Sequence, residues 1–329
     1  PMPVHSKNPA VIIANRGRLL RLIRAERVDI AHVRSRAPAW SALWAARAAK
    51  IPLVATYHGA YDAANPLKRF YNSAMVRADL VIANSEFTAA AIRARYEIAP
   101  EKLRIIPRGV DLRLFDPARI APERLATIAR DWGVNHDRRV FRLLLPGRLT
   151  EWKGQMLAID AVARLAGTRS ATGQREDLQL ILAGDAQGRD DYRAALLEAA
   201  EGRGVRAMVQ VVGHCVDMPA AYASADAVLA PSTRPEAFGR VAVEAGAMGK
   251  PVIASDHGGA RETIVHGETG LLVAPGEAGA LAEAINRLQS MDAEARAAMG
   301  ARAKERAAKL FSLEAMQRAT LEAYHSLDA

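Results

Sequence analysis

Residues 140–155 read VFRLLLPGRLTEWKGQ. An apolar run ends at Pro146–Gly147, and a turn carrying Arg148, Lys153 and Gly154 opens onto a helical pattern. A strand buried on both faces reads as a nearly continuous apolar run, and a helix following it implies a parallel neighbour. The same rhythm recurs downstream in LQLILAGD (178–185), VQVVGHC (209–215), AVLAPS (227–232), PVIAS (251–255) and GLLVA (270–274). Upstream it appears in VDIAHVR (28–34), PLVATYH (52–58), DLVIANS (79–85) and LRIIPRG (103–109), with helical patterns at 16–27, 38–50, 66–78 and 86–98. This is α/β architecture built twice, as two doubly wound parallel sheets. Ligand crevices form at the strand ends of such sheets, and two sheets facing each other would make a cleft between domains.

The polar stretch around 134–139 is the expected linker. The expected division is 1–137, 138–310 and a C-terminal helix, 311–329, that crosses back to the first domain. The tail over 292–328 is rich in Ala, Arg and Glu and reads as helix. The first half enters at a basic helix instead of a strand and Gly-rich turn, so its first βα unit is expected to be missing.

The chain has 329 residues, half of them hydrophobic, which suits about two domains with ample core. A single cysteine, Cys215, excludes an intrachain disulfide, points to a reducing compartment, and beside VQVV reads as a small buried hydrophobe. No apolar run reaches the roughly 18–20 residues that span a bilayer. Residues 1–140 hold 24 Lys and Arg against 12 Asp and Glu, a net +12, whereas 141–329 hold 21 against 24, a net −3. A basic half suits an anionic partner: membrane headgroups, a phosphorylated acceptor or nucleic acid. A merely solvated surface is the alternative. With only 5% aromatic residues the chain offers no evident stacking platform, so nucleic acid is not expected. Over 16–27, Arg18 and Arg21 alternate with apolar residues at helical spacing, which fits either a helix packed on its sheet or one lying on a membrane.

Arg148 and Lys153 sit at a strand exit, where a planar fork and a point charge suit a departing diphosphate. Capping a surface loop is the alternative. In RPEAFGRVAVEAGAMGKPVIAS (234–255), Glu236 precedes a helix start and Glu244 lies within the helix. Backbone N–H groups at Phe238 and Gly239 would attract an anion, and the two carboxylates would accept from hydroxyls. Alternatively, Glu236 caps the helix and Glu244 pairs with an arginine. Asp190 and Asp191 most simply favour a helix N-terminus, and no Asp-x-Asp pair at a strand end or zinc-spaced His/Cys cluster is found, so no metal is expected.

EAFGRVAVE, with seven residues between its acids, resembles the Glu-x7-Glu signature of retaining GT-B glycosyltransferases, specifically glycosyltransferase family 4. GRLTEWKGQ, LILAGD, PRGVD, the run 225–232 and GKPVIASDHGGARETIVHGETGLLVAPG fall in that family's order. RSRAPAWSA, the pair His58–Gly59 and NPLKRFYNS resemble bacterial members that build lipopolysaccharide core or related surface glycans. The resemblance implies a GT-B fold of two Rossmann-like domains facing a cleft. It implies transfer of a sugar from a UDP-, GDP- or ADP-sugar to a glycan or lipid-linked acceptor, with retention and without metal or other cofactor. It also implies a cytoplasmic protein, peripheral on the inner face of the plasma membrane. Arg148 and Lys153 would hold the donor diphosphate, and Glu236 a sugar hydroxyl. The amides of Ala237, Phe238 and Gly239 would lie near the sugar and phosphate. Glu244 would bind the ribose, Val216 and Asp217 would lie by the base, and His58 would face the sugar. Two departures stand out: Arg108 replaces the asparagine common before Gly-Val-Asp, where it would touch an anionic acceptor or stabilise the turn, and the Gly-rich first turn is absent. Other readings are a non-catalytic nucleotide-sugar-binding protein, or a sugar epimerase or phosphorylase on the same scaffold.

Overall fold

The computed structural model describes residues 2–6, 8–59, 61, 65–135, 137, 139–171, 178–188 and 190–327. By contacts the chain forms two compact units, Pro1–Gly109 with Glu314–Ala329, and Val110–Leu313.

Unit 1 runs α1 (Pro9–Ala25), β1 (Ala31–Val33), α2 (Ala39–Ala49), β2 (Leu53–Tyr57), α3 (Pro66–Val76), β3 (Leu80–Ala83), α4 (Glu86–Arg93) and β4 (Leu103–Ile105). The four strands pair in parallel in the order β1-β2-β3-β4. Helix α1 begins earlier than the basic pattern alone suggests: Asn8 caps it through the Ala10 amide and Pro9 occupies its first turn, a place where proline costs no hydrogen bond. It buries Ile12 and Ile23 and leaves Ile13 and Leu22 exposed.

Unit 2 continues with α5 (Pro122–Trp132), β5 (Phe141–Pro146), α6 (Gln155–Ala171), β6 (Leu178–Ala183), α7 (Asp190–Gly202), β7 (Val209–Gly213), α8 (Met218–Ser224) and β8 (Ala227–Ala230). Then follow α9 (Arg240–Ala247), β9 (Val252–Ser255), α10 (Ala260–Thr263), β10 (Gly270–Val273), α11 (Ala278–Ser290) and α12 (Ala293–Leu310). Its six strands are all parallel, ordered β10-β9-β8-β5-β6-β7. The run that opens the sequence reading divides between the two faces of this sheet. Leu143 and Leu145 join one core layer with α6, α7 and α11, and Leu144 joins the other with α5, α8 and α9. Successive side chains of a strand point to opposite faces, so helices on both sides demand apolar residues at every position.

The stretch 134–139, of which residues 136 and 138 lie outside the described residues, falls inside unit 2. The units divide instead at Gly109 and Val110. The reason is the packing of α5: Ile128, Ala129 and Trp132 enter the unit 2 core, and Arg124 grips Asp217 at the start of α8 with 2.6 and 2.7 Å hydrogen bonds. The last helix, α13 (Leu313–His325), belongs almost wholly to unit 1, where Met316, Ala319 and Ala323 cover Val54, Leu80 and Ile82 on the sheet face away from α2. Among the described residues no helix is long and apolar enough to cross a membrane.

Candidate functional site

In unit 2 the chain leaves β5 for β6 and β7, then returns to the other side of β5 for β8, β9 and β10. Winding reverses between β5 and β8, so the loops after these two strands part in opposite directions. Sheets of this kind bind ligands at that point, outside the carboxyl ends of the strands. The two loops are residues 147–154 and 231–239, the segments that carry Arg148, Lys153 and Glu236.

They are held together by main chain. Thr233 N–H donates to the Trp152 carbonyl at 2.8 Å. Gly154 has φ +79°, and a Cβ there would stand 2.1 Å from the Pro231 carbonyl oxygen. Only glycine permits both that conformation and that approach. The Lys153 ammonium meets Glu236 Oε1 at 2.9 Å and lies 4.6 Å from the Trp152 ring centroid. Glu236 Oε1 also accepts from Ser232 Oγ at 2.5 Å. Both contacts fall on Oε1, so Oε2 remains available to accept from a ligand hydroxyl. An ammonium has three donors, and one on Glu236 leaves others for an anion. The Arg148 carbonyl accepts from Gln155 Nε2 at 2.9 Å, and the guanidinium is exposed, with no hydrogen-bond or ion-pair partner among the described residues.

Helix α9 opens at Gly239, which has φ +84° and provides no side-chain cap. Glu236 therefore does not cap it. Among the described residues the amides of Phe238 and Gly239 have no hydrogen-bond partner. The Phe238 ring is buried edge-on against Phe311 at 5.6 Å, so this residue offers a ligand its backbone alone. Glu244 is paired with an arginine, as one sequence reading allowed: Arg240 donates to Oε1 at 2.6 Å and the buried Tyr222 hydroxyl to Oε2 at 2.9 Å. Two donors fix the carboxylate and leave its remaining lone pairs. Val216 is 91% exposed. Asp217 caps α8 through the Ala220 amide, and the Arg124 guanidinium holds its carboxyl below the usual range. Cys215 is half-buried, and burial pushes its thiol up to about 11.

In unit 1, His58 follows β2. Burial, then the charges of Arg108 and Arg34, lower its pKa to about 4, and its buried Nδ1 has no hydrogen-bond partner among the described residues. His58 and Arg108 are thus electrostatic neighbours in one basic cluster. His32, on β1, is lowered to about 4 by burial first, and its ring joins Tyr324 Oη at 2.6 Å and Thr56 Oγ1 at 2.7 Å.

Several residues that shape the site escaped the sequence reading. Ser232 and Tyr222 orient the two glutamates. Gly259 N–H donates to the Glu236 carbonyl at 2.8 Å, and a Cβ on Gly259 would stand 2.4 Å from Phe238 Cα. The pair Gly258–Gly259 in GKPVIASDHGG was the available signal, since adjacent glycines permit close backbone approach. His257 beside them buries both ring nitrogens, with no hydrogen-bond partner for either among the described residues.

Residues 128–306 match the family model described as glycosyl transferases group 1, and residues 1–114 that described as glycosyltransferase family 4. The D-inositol 3-phosphate glycosyltransferase of Pseudarthrobacter chlorophenolicus is 35% identical over 247 residues, 75% of this chain and 55% of the relative. The chain spans about half the length of the curated relatives it matches. A glycosyltransferase from Rickettsia africae superposes with a TM-score of 0.89 at 33% identity, covering 98% of this chain and 83% of that one. The Anabaena protein HepE in complex with UDP gives 0.83 at 28% identity, covering 94% and 82%; its complex with UDP-glucose gives 0.80.

Proposed function

The chain belongs to the group 1 glycosyltransferases, and on that premise we propose that it moves a sugar from a nucleotide-diphosphate sugar to a glycan or lipid-linked acceptor with retention of configuration. One observation carries this reading: Lys153 and Glu236 meet at the β5/β8 switch point of a unit whose structural neighbour was solved with UDP and with UDP-glucose. Arg148 and Lys153 neutralise the departing diphosphate, helped by the amides of Phe238 and Gly239 and of neighbouring Ala237 at the start of α9. One such preorganised contact is worth about 3–4 kcal/mol in the transition state. Glu236 accepts from a sugar hydroxyl through Oε2. Glu244 accepts from the ribose, and Val216 and Asp217 flank the base. The acceptor hydroxyl attacks on the face that the diphosphate leaves, and the diphosphate takes its proton. On unit 1, His58 faces the sugar and Arg108 an anionic part of the acceptor.

Two acceptor classes are in play: a bacterial surface glycan, suggested by the first-half motifs, and a phosphorylated polyol, suggested by the relatives' names. The basic first half favours an anionic acceptor and peripheral contact with an anionic membrane surface. A melting-temperature screen against UDP-, GDP- and ADP-sugars, followed by a transfer assay with the responding donor, tests the reading. A ligand at 100 times its dissociation constant adds about 2.7 kcal/mol of stability. Indifference to every donor would sink the proposal. Donor binding without transfer or hydrolysis would favour a non-catalytic nucleotide-sugar-binding protein.

A further inference from the structure

The chain passes between the two units twice, at Gly109–Val110 and at Leu313–Glu314. Each unit clasps the two connections on its own side. In unit 2 the Val110 N–H donates to the Phe311 carbonyl at 2.8 Å and the Leu313 N–H to the Val110 carbonyl at 2.9 Å. These bonds make an isolated parallel bridge between Val110 and Ser312, outside the sheet. In unit 1 the Gly109 N–H donates to Met316 Sδ at 3.2 Å.

The Phe311 side chain ties the unit 2 clasp to the loop that carries Glu236. Its ring meets that of Phe238 edge-on, with centroids 5.6 Å apart and planes at 77°, an arrangement that aromatic pairs favour. The Arg306 guanidinium lies 5.7 Å from the Phe311 ring centroid and donates to the Glu262 carbonyl of α10 at 2.7 Å. Val110, Phe238 and Phe311 are buried in one core layer with Ala242 and Val243 of α9 and Ala307 of α12. Helices α9 and α12 also approach closely through main chain: a Cβ on Gly300 of α12 would stand 2.0 Å from the Gly249 carbonyl oxygen, just past the end of α9. Gly300, Ala303 and Ala307 bury one face of α12, and Phe311 caps its end. A close-packed interior transmits a displacement where a loose one would absorb it. The amides of Phe238 and Gly239, with no hydrogen-bond partner among the described residues, are thus one aromatic contact away from the bonds that hold the two connections together.

We propose that Phe311 is a positioning residue that couples these two amides to the joint between the units. An anion held by the amides seats the Phe238 ring on Phe311 and tightens the clasp between Val110 and the Phe311–Leu313 segment. The coupling rests on the reading of the chain as a glycosyltransferase whose donor diphosphate lies at these amides, and it gives that site a regulation: donor occupancy is registered where the chain crosses to unit 1. Coupling is reciprocal, so part of the donor's binding energy goes into ordering the clasp.

Amide hydrogen exchange of the whole chain, read by NMR, tests the coupling. UDP-, GDP- and ADP-glucose are added in turn, and the one that raises the melting temperature is used at about 100 times its dissociation constant. A segment that opens only when the ligand leaves would exchange about a hundredfold more slowly at that concentration. The Val110 and Leu313 amides are expected to slow roughly tenfold or more. The Arg203 and Met291 amides, at the ends of α7 and α11 on the opposite face of the sheet, are expected to be unchanged. This comparison needs no variant. Phe311→Leu is expected to abolish the slowing and to lower kcat for donor turnover roughly tenfold. Its donor affinity is expected to be unchanged or tighter, because binding no longer has to order the clasp. Unchanged exchange at Val110 and Leu313, equal slowing at all four amides, or a Phe311→Leu protein that keeps the slowing would each overturn the proposal. So would a variant that binds the donor more weakly at unchanged kcat, the mark of a purely structural residue. If no nucleotide-sugar raises the melting temperature, the transferase reading itself fails; if one does and the Val110 amide is indifferent to it, only the coupling falls.

Discussion

Lys153 is fixed by its neighbours before any ligand arrives, with the Glu236 carboxylate 2.9 Å away and the Trp152 ring beneath it. Lys153→Met is expected to lower kcat for transfer by roughly 10²–10³, as losing one preorganised contact to a leaving group does. Steady-state kinetics at saturating donor would check this, and unchanged turnover would remove Lys153 from the mechanism. Gly154 tests the geometry apart from the charge. Its Cβ would collide with the Pro231 carbonyl at 2.1 Å, from a φ of +79° that other residues resist. Gly154→Ala is expected to cost about 2–4 kcal/mol, read from the urea midpoint, and to weaken donor binding because the loop holding Lys153 must move. At this scale the sequence was informative about which residues carry charge and silent about their partners. Glu236 and Lys153 both stood out at strand ends. Their pairing, and the use of Ser232 and Tyr222 to aim the two glutamates, depends on contacts between segments distant in the chain.

Helix α13 is the element whose role is easiest to test. Its Ala323 is 5% exposed and packs with Val54, Leu80 and Ile82 of the unit 1 sheet. Ala323→Asp would bury an unpaired carboxylate and is expected to destabilise unit 1 by about 3 kcal/mol or more, seen as a lower denaturant midpoint. The same helix takes part in the acid response. His32 links β1 to Tyr324 of α13 and to Thr56 of β2, and like His58 its pKa falls from 6.5 to about 4. Both rings are neutral when folded and take up protons near 6.5 when unfolded, so the unfolded chain binds more protons between these values. Stability is therefore expected to fall as pH drops from about 6.5 to about 4 and to be indifferent to these two groups at higher pH. His32→Gln, which cannot titrate, is expected to flatten that slope; denaturation midpoints across the window that do not move with pH would contradict the assignment. The helicity of the tail was legible from its composition, since Ala, Arg and Glu favour helix. Which sheet it covers was not contained in that composition.

The whole chain holds separate cores, one pair of layers about the six-stranded sheet and another about the four-stranded sheet. Calorimetry is expected to show two transitions, with the nucleotide-sugar that responds in the donor screen raising the one that belongs to residues 110–313. A single transition, or a response confined to the other unit, would contradict the placement of the donor. Much of this architecture was written in local pattern. Runs such as Phe141–Pro146 are apolar at nearly every position because helices cover both faces of a parallel sheet, and that requirement acts residue by residue along the strand. For the same reason Arg148, Lys153 and Glu236 could be picked out as polar groups past the ends of such runs, whereas Glu244, inside α9, stood out by its spacing from Glu236. Strand order was not legible. Returning the chain from β7 to the far side of β5 sets β8 beside it, and that long-range choice alone brings the Lys153 loop against the Glu236 loop. The unit boundary at Gly109 and the strands of the unit 1 sheet that α13 covers were likewise decided by tertiary packing, because each depends on which distant surfaces exclude water together.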